Sequence, residues 1–192
     1  MPWLPVFTIG LWNAWVLMLF MILHPLIMML VDRVLGSGEL FKKMGEAPID
    51  NTEKRINLSA TLLLYTLVVL SIFVPLKTNS AWLYTGLAVY LIGLGVFLIA
   101  IVNAAKTPLG QIFSQGVYRY SRHPLYLAFM LILMGVSIAT ASWVFLLLSA
   151  IYSNMMSWQA LAEERTCLNS FGNVYRDYMD KTSRWVGIPK SR

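Results

Sequence analysis

The stretch LYLAFMLILMGVSIATASWVFLLLSAIYSNMMSW, residues 125–158, decides the fold class. It carries no charged residue, and a chain inside lipid must pair every backbone N–H and C=O group within its own helix. A bilayer core about 30 Å thick requires about 20 apolar residues as helix. Because Ser142 divides the stretch into two runs of similar length, we expect a tight hairpin of two short spans, Leu125–Ala141 and Trp143–Trp158.

Three further apolar runs predict membrane-spanning helices before this hairpin. They are Val6–Val31, Leu58–Pro75 and Trp82–Ala104. The composition agrees, because 58% of the 192 residues are hydrophobic and 12% are charged, compared with about 45–50% and about 25% in soluble domains. We therefore predict an all-α integral membrane protein with five transmembrane helices and a C-terminal helical tail. It would form one domain over residues 1–192, with N-terminal spans in 1–102 and the chemistry in 103–192.

The basic residues predict which side of the membrane each loop faces. All of the 15 Lys and Arg residues except Lys77 lie in the first long loop, just before the hairpin, or in the tail. Since cytoplasmic loops are enriched in Lys and Arg, we expect the N-terminus outside and the tail in the cytoplasm. This placement accounts for the net charge of +6 without a nucleic-acid partner. One cysteine and two widely separated histidines do not make a set of metal ligands, so we expect no metal.

A basic and aromatic segment, GVYRYSRHPLY at residues 116–126, runs directly into the hairpin. Pro124 suits the first position of a helix and disfavours the helical conformation for the residue before it. We therefore expect His123 on an extended backbone where the fourth span begins. Taken alone, Arg119, Arg122 and the tyrosines around them are typical of an anchor at the membrane surface.

An acidic pair, Glu163 and Glu164, follows the fifth span. On a continuous helix, Glu164 would share an apolar stripe, and Glu163 would point about 100° away. The stripe would contain Leu161, Glu164, Leu168, Phe171, Tyr175 and Tyr178. Taken alone, the pair could also serve only to balance nearby basic charge. Because the two carboxylates leave one span beside a His-Arg segment that enters its partner, we predict a polar pocket at the cytoplasmic face.

The ordered set of these motifs resembles the isoprenylcysteine carboxyl methyltransferase family of integral membrane enzymes, which is related to the phospholipid methyltransferases. The set extends from roughly Asn103 to Pro189 and reads Gly-Val-Tyr-x-x-x-Arg-His-Pro-x-Tyr, an apolar hairpin, Glu-Glu-x-x-x-x-x-x-Phe-Gly-x-x-Tyr-x-x-Tyr and Gly-Ile-Pro. The resemblance implies transfer of a methyl group from S-adenosylmethionine, with S-adenosylhomocysteine as product. The acceptor would be a lipophilic molecule that arrives from the lipid bilayer.

The resemblance also assigns roles to individual residues. The implied cofactor contacts are Gln111, Ile112, Phe113, Tyr118, His123, Pro124, Leu125, Tyr126 and Glu163. Arg122 would engage either an anionic acceptor or the carboxylate of the cofactor, and Glu164 is the second candidate catalytic residue. Gln159 is a candidate acceptor contact, but relatives that methylate prenylcysteine carry arginine there, which leaves the acceptor open. We expect the tail after Phe171 to fold over the pocket as a lid.

Several functions agree with these motifs. Carboxyl O-methylation of a prenylcysteine-like C-terminal carboxylate comes first, because the phospholipid N-methyltransferases commonly have another residue where this chain has Arg122. Such an acceptor is already ionised and requires no general base. A phospholipid or other lipid amine N-methyltransferase is the nearest alternative, and its acceptor would require a base such as Glu164. The sterol reductases, which use a nicotinamide cofactor, share a similar Arg-His-Pro-x-Tyr element but are usually longer. The alternative from another class is a non-enzymatic membrane protein such as a small transporter or scaffold.

Overall fold

The computed structural model describes residues 8–36, 38–40 and 50–189. These residues form six α-helices and one short 3₁₀ helix. The elements are α1 (Trp15–Leu35), α2 (Asn51–Ser71), α3 (Ala81–Lys106), the 3₁₀ helix (Gly116–Arg119), α4 (Pro124–Thr140), α5 (Trp143–Phe171) and α6 (Asn173–Lys181). Within these ranges the structure contains no β-strand, so the prediction of an all-α fold is confirmed for this part of the chain.

Three helices, α1, α3 and α5, are long and apolar enough to cross a membrane. Helix α4 is apolar but has 17 residues, which is near the lower limit for a span. Helix α2 begins with Glu53, Lys54 and Arg55 in its first two turns and is not among the helices that are apolar enough to span. The membrane character of the chain is therefore confirmed. The five-span arrangement, the orientation and the cytoplasmic tail stay predictions.

Helix α1 begins later than the predicted span does. Residues 6 and 7 of that span lie outside the described residues, and residues 8–14 are not α-helical. Asn13 donates its side-chain amide to the carbonyl of Ile72 at 2.7 Å, and the amide of Ala14 donates to the carbonyl of Val74 at 2.9 Å. The polar groups of residues 13 and 14 are thus hydrogen-bonded to the end of α2 and the residues after it. They therefore do not require an additional helical turn at the start of α1.

Glycines allow α3 and α4 to approach each other closely. A Cβ atom on Gly86 of α3 would overlap the backbone of Ala139 of α4, and one on Gly135 of α4 would lie 2.7 Å from the amide nitrogen of Tyr90. Small residues at such crossings are typical of packed membrane helices. We call this contact the α3–α4 seam. It fixes the axis of α4 and therefore the position of the residues at its N-terminal end.

The turn between α4 and α5 lies where the sequence predicts it. Helix α4 ends at Thr140, Ala141 adopts a left-handed conformation with φ 48°, and the Ser142 hydroxyl accepts a hydrogen bond from the amide of Phe145 at 3.3 Å. A serine that caps the following helix in this way satisfies an otherwise free N–H group. Helix α5 then continues well past Trp158, and it carries both glutamates of the acidic pair on one rigid element.

The residues of the apolar stripe lie on two helices, because the helix breaks at Gly172. This residue has φ 53° and ψ −126°, a conformation that is readily accessible to glycine but costly for residues with a side chain. Helix α6 therefore leaves in a new direction. Tyr175 and Tyr178 are nevertheless buried, so the apolar stripe predicts their burial correctly, although they lie on a separate helix.

Candidate active site

His123 lies at the N-terminal end of α4, directly before Pro124 at the first helical position. Its backbone has φ −128° and ψ 58°, which is non-helical, as the following proline predicts, but less than fully extended. Its amide donates to the hydroxyl of Ser121 at 3.2 Å. The imidazole is buried, so its polar atoms require partners inside the protein.

The partners of His123 are the two glutamates on α5. Its Nδ1 atom lies 3.4 Å from Oε2 of Glu163, and its Nε2 atom lies 3.1 Å from Oε1 of Glu164. Burial alone would lower the pKa of His123, but the hydrogen bonds and negative charges of the two carboxylates outweigh it, so the pKa is raised. The folded protein therefore favours the protonated imidazole, which bridges the two carboxylates.

Glu164 is buried and surrounded by positively charged groups. Arg184 donates a hydrogen bond to each of its oxygens, from Nε to Oε1 at 2.9 Å and from Nη2 to Oε2 at 2.8 Å. Arg122 is more distant, with Nη1 3.4 Å from Oε1. Such a two-point contact between a guanidinium and a carboxylate is both strong and directional. The sequence motifs do not predict Arg184, which belongs to the tail.

The tail lies against the segment that enters α4. The amide of Arg122 donates to the carbonyl of Ser183 at 3.0 Å, and the amide of Gly187 donates to the carbonyl of Tyr120 at 2.9 Å. The ring of Trp185 lies 6.2 Å from that of His123. The tail thus packs against the segment that carries His123. That it folds over the pocket as a lid stays a prediction.

Most of the predicted cofactor residues surround one small cavity of about 50 Å³. Its lining consists of Phe113, Tyr118, Arg122, His123, Pro124, Leu125, Tyr126 and Glu163. Of the predicted contacts, Gln111 and Ile112 do not line it. Gln111 lies in a turn in which its amide donates to the carbonyl of Pro108 at 3.3 Å, and its side chain is exposed.

One residue that lines this cavity, Arg122, has N–H groups that donate no hydrogen bond among the described residues. Its side chain is 10% exposed, and its Nε and Nη1 atoms are buried without a hydrogen-bond partner among the described residues. Buried polar groups are nearly always paired. Although Nη1 lies 3.4 Å from Glu164, both nitrogens remain able to donate a hydrogen bond to an acceptor in the cavity. A carboxylate or another anion would be such an acceptor.

A larger cavity of about 420 Å³ lies between α2 and α5. It is lined by Glu53, Ile56, Asn57, Thr61, Tyr126, Trp158, Gln159, Ala162, Glu163 and Thr166. Tyr126 and Glu163 also line the small cavity, so the two spaces are neighbours. The predicted acceptor contact Gln159 belongs to the larger one, where its side-chain amide donates to Asn57.

The α2 side of this larger cavity has no counterpart in the sequence motifs. Glu53 accepts from Arg165 of α5 at 2.6 Å, and Asn57 pairs with Gln159. The first pair is separated by 112 residues in the sequence and the second by 102. Residue spacing within one helix contains no signal for such a pairing.

Comparison with known proteins identifies a family for this chain. A family model described as phospholipid methyltransferase matches residues 58–175, which is more than half of the chain and includes both glutamates and His123. Among curated proteins, no significant match is found. The matched range ends before Arg184 and begins after Glu53 and Asn57.

Proposed function

The chain belongs to the phospholipid methyltransferase family of membrane enzymes, and on this premise we propose that it transfers a methyl group from S-adenosylmethionine to a lipophilic acceptor. One observation carries this proposal. Two segments that lie about 40 positions apart, one entering α4 and the other on α5, contribute His123 and Glu163 to the wall of the same cavity. Ionisable side chains in the wall of a cavity at the end of apolar helices are typical of a functional site in a membrane protein.

The residues around the small cavity fit the polar parts of S-adenosylmethionine, which would supply an electrophilic methyl group on a positively charged sulfur. The unpaired N–H groups of Arg122 match its carboxylate, and Glu163 matches its ammonium group. Phe113 and Tyr118, whose ring centroids lie 5.4 Å apart, offer an aromatic surface for the adenine. The small cavity does not hold the whole molecule, so we propose that the adjoining larger cavity provides the remaining space.

The first candidate acceptor is a prenylcysteine-like C-terminal carboxylate. This group is ionised at neutral pH and already carries the attacking lone pair, so the protein has to orient it and exclude water rather than remove a proton. Arg122 supports this candidate, because its guanidinium is buried and has N–H groups left to donate. In this role Arg122 would hold the carboxylate, and the apolar helices would hold the prenyl chain.

The second candidate acceptor is a lipid amine, and the lining of the larger cavity favours it. Glu53, which is paired with Arg165, and Glu163, which lies beside His123, supply two carboxylates. Tyr126 and Trp158 supply aromatic rings, and the described lining itself contains no Lys, Arg or His. Carboxylates and aromatic faces both attract an organic ammonium group. Such an acceptor must lose a proton first. Glu163 is better placed to accept it than the predicted Glu164, which lines neither cavity.

A methyl-transfer assay with labelled S-adenosylmethionine tests the proposal. The purified protein is offered N-acetyl-S-farnesylcysteine and, separately, phosphatidylethanolamine in mixed micelles. We expect transfer to at least one, and its identity decides between the two acceptors. Glu163→Gln should lose most of the activity, and Asp177→Asn, a matched loss of charge on the exposed face of α6, should keep it. Absence of transfer to every acid and amine tested would contradict the proposal, and hydride transfer from a nicotinamide would indicate a reductase.

We further propose that the site faces the cytoplasm, which the placement of Lys and Arg supports. Cys167 is the single cysteine of the chain, so a labelled position is easy to introduce. In a Cys167→Ser background, Asn173→Cys on the exposed start of α6 should react with a membrane-impermeant maleimide after the cells are permeabilised. Equal labelling of intact cells would contradict this orientation.

A further inference from the structure

Two arginines lie within reach of the same buried carboxylate, but they use it unequally. Arg184 forms two hydrogen bonds with Glu164, at 2.8 and 2.9 Å. Arg122 stays at 3.4 Å from the nearer oxygen, which is too far for a good hydrogen bond. Glu164 Oε1 also lies 3.1 Å from His123. The oxygen nearest Arg122, Oε1, thus already accepts hydrogen bonds from His123 and Arg184.

The consequence falls on Arg122, whose Nε and Nη1 atoms are buried and unpaired. Leaving a buried donor unsatisfied costs free energy, so Arg122 would move towards Glu164 if the oxygens of this carboxylate were free. The two guanidiniums therefore compete for one acceptor. Because Arg184 holds both oxygens, Arg122 remains directed to the lining of the small cavity.

The contacts around Arg122 leave it able to bind an anion. Arg184 already balances the charge of Glu164 with two hydrogen bonds. The positive charge of Arg122, at 3.4 Å from the nearer oxygen of Glu164, is therefore only partly balanced. Among the groups that fit a two-point guanidinium contact, a carboxylate is the natural choice.

We propose that Arg184 is a positioning residue that occupies Glu164 and thereby leaves Arg122 free to bind the carboxylate of a ligand in the small cavity. This inference rests on the proposed function, since both the cofactor and the first candidate acceptor carry a carboxylate. It goes beyond that function because Arg184 lies outside the matched family range. The segment that contains Arg184 would then determine carboxylate affinity without touching the ligand.

Calorimetry on the purified protein in an uncharged detergent tests the proposal with two ligands. S-adenosylhomocysteine carries a carboxylate, whereas 5′-methylthioadenosine retains the nucleoside and thioether but lacks it. For Arg184→Gln we expect about tenfold weaker binding of S-adenosylhomocysteine, the loss of one charge-assisted contact, and binding of 5′-methylthioadenosine within about twofold of wild type. Equal losses for both ligands would mean that Arg184 only holds the tail in place, and this would overturn the proposal.

Conservative and compensating variants separate positioning from general damage. Arg184→Lys keeps the charge but lacks the planar fork, so its loss should be intermediate. Arg184→Gln combined with Glu164→Gln removes the carboxylate that would capture Arg122, and it should recover most of the affinity that Arg184→Gln loses. No recovery would contradict the proposal.

Arg176→Gln, which changes an exposed arginine on α6, is the control and should bind both ligands normally. Should Arg184→Gln not fold, Arg184→Lys alone decides: selective weakening supports the proposal and unchanged affinity overturns it.

The origin of the carboxylate is decided with N-acetyl-S-farnesylcysteine and its methyl ester. If Arg184→Gln weakens the acid but leaves the ester and S-adenosylhomocysteine unchanged, Arg122 holds the acceptor carboxylate. If only S-adenosylhomocysteine weakens, it holds the cofactor carboxylate. Failure of the wild type to bind S-adenosylhomocysteine would refute the proposed function, while selective weakening of the acid would still support the role of Arg184. Binding of neither carboxylate by the wild type would overturn both.

Discussion

The α3–α4 seam and the polar cluster at the start of α4 are held together by opposite means. At the seam, glycines remove side chains so that two backbones touch, as at Gly86 and Gly135. At the cluster, His123, Glu164 and Arg184 meet through charged hydrogen bonds in a buried setting. Close packing tolerates little added volume, whereas a buried charged cluster is destabilised when one partner is removed and the other charge is left uncompensated.

This difference separates residues that determine stability from residues that can bind a ligand. The closest contacts of Gly86 and Gly135 are with the backbone of Ala139 and Tyr90, so the seam fixes the position of α4. In the cluster, Glu164 is paired with Arg184, whereas two nitrogens of Arg122 have no hydrogen-bond partner among the described residues. Arg122 can therefore still bind a ligand. Substitutions at the seam should therefore change folding, and those at the cavity-lining part of the cluster should change binding.

The largest effect is expected at the seam for Gly86→Val. The new side chain would overlap the backbone of Ala139, which cannot move away without displacing α4. We expect a loss of about 3 kcal/mol in the free energy of unfolding, the upper end for overpacked positions, measured as a lower melting temperature and a lower yield of folded protein. Gly95→Val on the same helix is the control, because its Cβ would meet open space, and it should change stability by less than about 0.5 kcal/mol. Equal effects at both positions would disprove the close approach.

A smaller loss of stability is expected within the cluster for Glu164→Gln. The neutral amide would leave Arg122, Arg184 and His123 without their shared counter-charge, which is costly in a buried site. Because 34% of the Arg184 side chain is exposed, we expect about 2 kcal/mol rather than the full cost of a buried ion pair. Glu163→Gln should change the melting temperature little, since 40% of the Glu163 side chain is exposed. A reversed order of the two variants would contradict the assigned environments.

The smallest effect is a pH dependence that belongs to the cluster and not to the seam. The pKa of His123 is raised in the folded protein by Glu163 and Glu164 despite burial. Its contribution to stability is therefore fully present below its ordinary value of about 6.5 and is lost as the pH rises through the folded pKa. The melting temperature of the wild type should fall from pH 6 to pH 9 more steeply than that of His123→Gln. Parallel curves for the two proteins would show that His123 is not held in its charged form.

Much of the cluster follows from local sequence rules. Pro124 predicts a non-helical His123 at the entrance of a helix, and the apolar stripe predicts a buried Glu164 beside a more exposed Glu163. The hairpin then predicts that the two segments lie close together, because a short turn makes its helices neighbours. The structure agrees with each of these steps.

Other features depend on contacts between distant segments and escape such rules. Arg184 reaches Glu164 because the helix breaks at Gly172 and the tail packs against the segment before α4. The direction that a chain takes after a glycine break is not encoded in helical periodicity. The larger cavity needs Asn57 of α2 beside Gln159 of α5. Likewise, the apolar run predicts an earlier start for α1, but Asn13 and Ala14 bind the end of α2 instead.

Binding of S-adenosylhomocysteine to the purified protein, measured by calorimetry, is the most direct test of the central claim that the cavity beside His123 and Glu163 holds the cofactor. The account predicts saturable binding by the wild type and by Gly95→Val. It predicts at least tenfold weaker binding by folded His123→Ala and Glu163→Gln, because each removes a charged contact from the cavity wall. Normal affinity in both folded variants, or no binding by the wild type, would contradict it.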